Sequence, residues 1–126
     1  MIKRVLVVDD NYVNRMLIVE ALSRLAVCDE AGDGEEALEK YLKDQKGYAI
    51  IFLDIAMPRM DGVEVLKQIR QNEDRLNVPN EERMPVILVT GFPDRVPEGL
   101  EHGAGDYIVK PIIAEVLIHK FQQFSR

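Results

Sequence analysis

Five short apolar runs punctuate the chain, and each is followed by a stretch with helical spacing. The first run, VLVV at residues 5–8, stops at Asp9 and Asp10. Leu17, Ile18, Ala21, Leu22 and Leu25 then recur at intervals that predict a helix over residues 12–25 with these side chains inward. Val27 and Cys28 open a short second strand, and Ala37, Leu38, Tyr41 and Leu42 mark a helix over residues 35–46. The third run, IIFL at residues 50–53, meets Asp54 directly, and Val63, Leu66 and Ile69 line the next helix. Residues 86–89 form a fourth run ending at Thr90, and residues 107–109 a fifth ending at Lys110. Ile113, Val116, Leu117, Phe121 and Phe124 predict an amphipathic final helix.

Apolar runs without polar alternation imply strands covered on both faces, as in a parallel sheet beneath helices. Strands alternating with helices imply right-handed crossovers. The predicted fold is therefore α/β: a doubly wound five-stranded parallel sheet with helices on both faces. Two segments stand apart. Residues 72–84, NEDRLNVPNEERM, read as a solvated loop. Residues 92–105 contain Pro93, Pro97, Gly99, Gly103 and Gly105, so a fourth helix there must be short.

Composition narrows the function. A chain of 126 residues suits one domain with a real core. The net charge of -6 argues against binding a phosphate backbone, which needs clustered positive charge. The single cysteine, Cys28, excludes an internal disulfide and reads as a buried, inert thiol. No signal peptide is visible, and no apolar run approaches the roughly 18 residues that suggest a membrane span. The expected compartment is the cytoplasm, with no membrane partner.

The polar residues of interest all follow strands: Asp9 and Asp10, Asp54, Thr90 and Lys110. In an open α/β sheet, ligands bind at that edge, where the strand order reverses. The order 2-1-3-4-5 would make strands one and three neighbours and bring Asp9, Asp10 and Asp54 together. Three close carboxylates repel unless cations compensate. Lys110 supplies one positive charge, and a hard divalent ion, most plausibly Mg²⁺, supplies the rest. The first loop, DDNYVNR, lacks the small residues of a phosphate cradle. A metal, a carboxylate, a hydroxyl and a lysine match phosphoryl transfer to a carboxylate, with Asp54 as nucleophile. Plainer readings stand beside this one. Asp10 could cap the first helix, Tyr107 could be a half-buried strand aromatic, and Asn14 and Arg15, which could contact a partner kinase domain, are expected on a solvated helix face.

Taken together, VLVVDDN, LDIAMPRMDG, VILVTG and DYIVKP are similar to the motifs of response-regulator receiver domains of two-component signalling, along essentially the whole chain. The resemblance implies a flavodoxin-like fold in which Asp54 accepts a phosphoryl group from a sensor histidine kinase or a histidine phosphotransfer protein. It implies that Asp9, Asp10, Asp54 and the Ala56 backbone carbonyl bind Mg²⁺. It makes Thr90 and Tyr107 a switch pair, and the Lys110–Pro111 peptide cis. Such a domain is a switch that catalyses only its own modification, read by a downstream protein target. Met1 leads directly into the first strand and nothing follows Arg126, so a single receiver domain with no output module is expected. The first loop is also similar to receivers attached to hybrid kinases. Rival functions are an aspartyl-phosphate phosphatase, disfavoured by Ala56 two residues after Asp54; a flavin electron carrier, disfavoured by the acidic first loop; and a receiver fold used only for binding.

Overall fold

The computed structural model describes residues 2–126, so Met1 and the expectation attached to it lie outside the described residues. Five strands, β1 (Lys3–Val8), β2 (Ala26–Ala31), β3 (Tyr48–Asp54), β4 (Val86–Thr90) and β5 (Asp106–Val109), form one parallel sheet in the order β2-β1-β3-β4-β5. Helices α1 (Tyr12–Leu22), α2 (Gly34–Lys43), α3 (Gly62–Arg75), α4 (Val96–Glu101) and α5 (Ala114–Phe124) follow the strands in turn. This is the predicted doubly wound, flavodoxin-like architecture.

Strand side chains alternate between faces, so one sheet supports two cores. Leu6, Val8, Ile51, Leu53 and Leu88 pack with α2 and α3. Val5, Val7, Ile50, Phe52, Ile87 and Val89 pack with α1 and α5. Every residue of β3 is buried, as expected for the central strand of a covered sheet. Among the described residues no helix is long and apolar enough to cross a membrane.

Several boundaries differ from the reading of the sequence. Helix α1 ends at Leu22, and Leu17 and Leu25 are exposed. Helix α2 ends at Lys43, where Asp44 takes the cap position, and Leu42 is exposed. In α5, Leu117 and Phe121 are buried, while Val116 and the preceding Ile113 are exposed. Cys28 is half-buried rather than buried; desolvation, reinforced by Asp29 and Glu30, pushes its thiol up to about 11.

The largest correction falls on residues 72–84. Helix α3 continues through Arg75 and ends near Asn77, whose φ of 55° turns the chain out of the helix. A 3-10 turn, Asn80–Glu82, follows. The segment is anchored by polar side chains. Glu73, only 3% exposed, accepts from Arg70 at 2.6 Å and from the Met84 N–H at 2.6 Å. Arg70 Nη2 donates to the carbonyls of Met84 at 2.9 Å and Gly103 at 2.8 Å. Buried Asn72 donates to the Tyr41 hydroxyl and to Gln45.

The fourth helix is short, as its prolines and glycines predict. It spans six residues after a 3-10 turn at Pro93–Arg95. A Cβ on Gly99 would stand 2.2 Å from Leu88 Cδ1, so glycine is what lets α4 lie so close to β4.

Candidate phosphoryl and metal site

The strand ends meet at one edge of the sheet. Val8 pairs with Leu53, which sets Asp9 beside Asp54, and Asp54 pairs in turn with Val89, next to Thr90. On the far side Thr90 pairs with Val109, and the Lys110 N–H donates to the Thr90 carbonyl at 2.8 Å. The turn after β3 depends on Gly62. Its N–H donates to the Ile55 carbonyl at 2.8 Å, and a Cβ there would lie 2.1 Å from the Asp54 carbonyl oxygen. No other residue fits without moving that backbone. Asp61 then caps α3 by accepting from the Glu64 N–H at 3.0 Å. The helix after Asp54 therefore begins where the DG pair fixes it.

Asp9, Asp10 and Asp54 each offer a carboxylate oxygen, all within 4.8 Å of one another. Asp9 and Asp54 are buried and Asp10 is exposed. The N-cap of α1 is Asn11, not Asp10, because its side chain accepts from the Asn14 N–H at 3.0 Å. Asp10 is thus left free of the capping role that the sequence also allowed. Asp9 Oδ1 accepts from the Asn11 N–H at 2.9 Å, which orients the carboxylate.

Lys110 Nζ approaches Asp9 Oδ2 at 2.9 Å and Asp54 Oδ1 at 3.4 Å. Apart from this shared ammonium, the two buried oxygens have no partner among the described residues. One ammonium among three clustered carboxylates leaves negative charge that a further cation would offset. Burial, followed by the charge of Asp9, raises the Asp54 carboxyl to about 6 against a partial offset from Lys110. Burial alone would depress the Lys110 ammonium, but Asp9 and Asp54 outweigh it and hold it above its ordinary value. Hard carboxylate oxygens, with Asp10 open to solvent, suit a divalent cation such as Mg²⁺. Ala56 is half-buried and, among the described residues, its carbonyl accepts no hydrogen bond, so it is free to join such a set.

The remaining residues fall around this centre. Thr90 is fully buried, and its Oγ1 accepts from the Phe92 N–H at 2.9 Å, leaving its own proton free to donate. A Cβ on Gly91 would meet nothing within 4 Å, so the approach beside Thr90 is open. The Lys110–Pro111 peptide is cis. Tyr107 is exposed, more so than the half-buried position read from sequence, and no hydrogen bond joins it to Thr90 among the described residues.

Two features escaped the reading of the sequence. Arg15 is not on a solvated face: it reaches under α1 to the Asp9 carbonyl and Glu30. Its place three residues before Ile18 and seven before Leu22, the buried pair of α1, was the available signal. Arg95, in the turn before α4, pairs with Asp61 at 3.1 Å and ties the two loops flanking the site. Its sequence neighbourhood carries no comparable signal.

Residues 5–122 match the family of the response regulator receiver domain. The chain is 33% identical over 128 residues to the response regulator ArlR of Staphylococcus saprophyticus, covering 100% of this chain and 53% of that protein. It thus spans about half the length of that relative. It is 34% identical to the chemotaxis protein CheY of Thermotoga maritima, covering 98% of each. Its fold superposes with a TM-score of 0.81 and 30% identity on a chain from the CheX–CheY–BeF3–Mg²⁺ complex of Borrelia burgdorferi, covering 98% of this chain and 90% of that one.

Proposed function

Because the chain belongs to the response regulator receiver domain family of two-component signalling, we propose that Asp54 is its phosphoacceptor and that Asp9, Asp10, Asp54 and the Ala56 carbonyl hold Mg²⁺. Response regulators receive phosphate from histidine kinases and act on downstream targets; receiver domains are signalling switches rather than classical enzymes. In this chain an ionised Asp54 oxygen attacks the phosphorus of a phosphohistidine on a sensor kinase or a phosphotransfer protein. The new P–O bond forms as the P–N bond breaks, and the imidazole leaves with the electron pair. Lys110 neutralises charge on one equatorial oxygen, and the Thr90 hydroxyl donates to another. Bound Mg²⁺ supplies the remaining neutralisation. We place this exchange in the cytoplasm, with a protein rather than a nucleic acid as the downstream reader.

The observation that carries the reading is the cluster of Asp9, Asp10 and Asp54, in which the buried Asp9 Oδ2 and Asp54 Oδ1 share a single lysine as their only partner among the described residues. Alanine at position 56 offers no general acid of the kind a phosphatase would need there. The test is incubation with acetyl phosphate followed by intact mass. The wild type should gain one phosphoryl group in Mg²⁺ and none in EDTA, and Asp54→Asn should gain none in either. Labelling of Asp54→Asn, or equal labelling in EDTA, overturns the assignment.

A further inference from the structure

Arg15 occupies the face of α1 that carries Ile18 and Leu22, and its side chain is 17% exposed. The guanidinium spans two acceptors. Nη1 donates to the Asp9 carbonyl oxygen at 2.6 Å, and Nε donates to Glu30 Oε1 at 3.1 Å. The Tyr12 ring covers it, with its centroid 5.7 Å from the guanidinium carbon. Gly32 borders it on another side, where a Cβ would stand 3.5 Å from Nη1.

That carbonyl is a significant place to hold. β1 ends at Val8, so the carbonyl of Asp9 lies beyond the strand. The Asp9 N–H is already engaged by the Ala31 carbonyl at 3.2 Å. A peptide group is planar, so fixing the oxygen of Asp9 also fixes the nitrogen and Cα direction of Asp10. One guanidinium thereby governs the hinge between two adjacent carboxylates. Its charge works against its geometry, since a cation beside an acidic cluster repels an incoming metal ion.

We infer that Arg15 is a positioning residue: it sets the Asp9–Asp10 peptide so that both carboxylates meet Asp54 around one divalent ion, with Glu30 and Tyr12 holding the guanidinium in place. The inference rests on the reading of Asp9, Asp10 and Asp54 as a Mg²⁺ site. Geometry and charge predict opposite signs, which makes the role separable. Outer-shell partners of metal ligands typically contribute on the order of tenfold or more in affinity.

The experiment is a calorimetric titration of the unphosphorylated full chain with Mg²⁺, using the wild type, Arg15→Lys and Arg15→Ala. Arg15→Lys keeps the charge but loses the planar fork. Its Mg²⁺ affinity should fall by roughly tenfold, while its melting temperature in EDTA stays near that of the wild type. Arg15→Ala should bind at least as weakly despite losing a repelling charge. In metal-free Arg15→Lys the amide resonance of Asp10 should shift while those of β5 do not. Wild-type affinity in Arg15→Lys, or tighter binding in Arg15→Ala, overturns the inference and leaves the metal site standing. A wild-type chain that takes up no Mg²⁺ overturns both.

Discussion

Lys110 stands closer to Asp9 than to Asp54: its Nζ is 2.9 Å from Asp9 Oδ2 and 3.4 Å from Asp54 Oδ1. The ammonium therefore rests mainly on Asp9. Were Asp9 to hold Mg²⁺, the ion and Lys110 would compete for Oδ2, and the ammonium would be displaced from it.

This competition has a measurable sign. Lys110→Gln should bind Mg²⁺ about threefold to tenfold more tightly than the wild type, because a like charge leaves the site. Phosphoryl transfer to Asp54 should nonetheless fall by more than about tenfold, since an equatorial oxygen loses its counter-charge. Calorimetry and acetyl-phosphate labelling check the two halves. Weaker Mg²⁺ binding in this variant contradicts the competition.

The raised Asp54 carboxyl predicts an inverted pH dependence. Its value of about 6 lies above the ordinary 3.8, so between these values the folded chain holds the proton more tightly than the unfolded chain. Stability from this group is fully present below 3.8 and is lost as pH rises through about 6. Asp61 runs the other way: burial is outweighed there by the Glu64 N–H and Arg95. The comparison of wild type with Asp54→Asn isolates Asp54. In EDTA at pH 7.5, Asp54→Asn should be more stable by on the order of 1–3 kcal/mol, and near pH 4 the two should converge. Urea titrations at both pH values decide this.

Slow self-dephosphorylation is expected from Ala56 and Phe92. Neither side chain can hydrogen-bond an attacking water, and they stand two residues beyond Asp54 and Thr90 respectively. Ala56→Asn and Phe92→Glu should each shorten the lifetime of the phosphorylated chain by roughly tenfold, within the range that a positioned proton acceptor or donor contributes. The decay is followed by intact mass after removal of the phosphodonor. Unchanged decay in both variants removes these positions from the hydrolytic step.

The segment from Phe92 to Gly105 should order when the phosphoryl group arrives. Thr90 would turn its free proton toward that group and draw on the Phe92 N–H that it now accepts. The 3-10 turn and six-residue α4 that follow are short elements with few internal hydrogen bonds. Hydrogen exchange with and without beryllofluoride should show protection gained mainly between Phe92 and Tyr107. Strong protection at rest, or none gained, places the switch elsewhere.

The sequence made β1, β3 and β4 legible because a strand buried on both faces leaves an unbroken apolar run. It made the acidic cluster legible because parallel topology aligns strand ends at one edge. It hid what polar side chains do in the interior. Asn72 and Glu73 read as solvent-facing, yet both are buried because Tyr41, Gln45, Arg70 and the Met84 N–H meet their hydrogen-bonding needs. The spacing of Arg15 to Ile18 and Leu22 marked its inward face, but its partners, a backbone carbonyl and Glu30, are displayed by no residue pattern. Apolar spacing also overextended α1, because the exposed Leu25 continues the period beyond the last helical turn.

Arg70 has a mechanical consequence for the segment from Phe92 to Gly105. By gripping the Gly103 carbonyl and the Met84 carbonyl together, it moors the end of α4's loop to the base of β4. If phosphorylation acts through Thr90, the segment would be an arm with one fixed pivot, driven from that end. Travel should be largest near Asp94 and fade toward His102, so a partner gripping the early turn feels the full stroke while one gripping the late turn feels almost none.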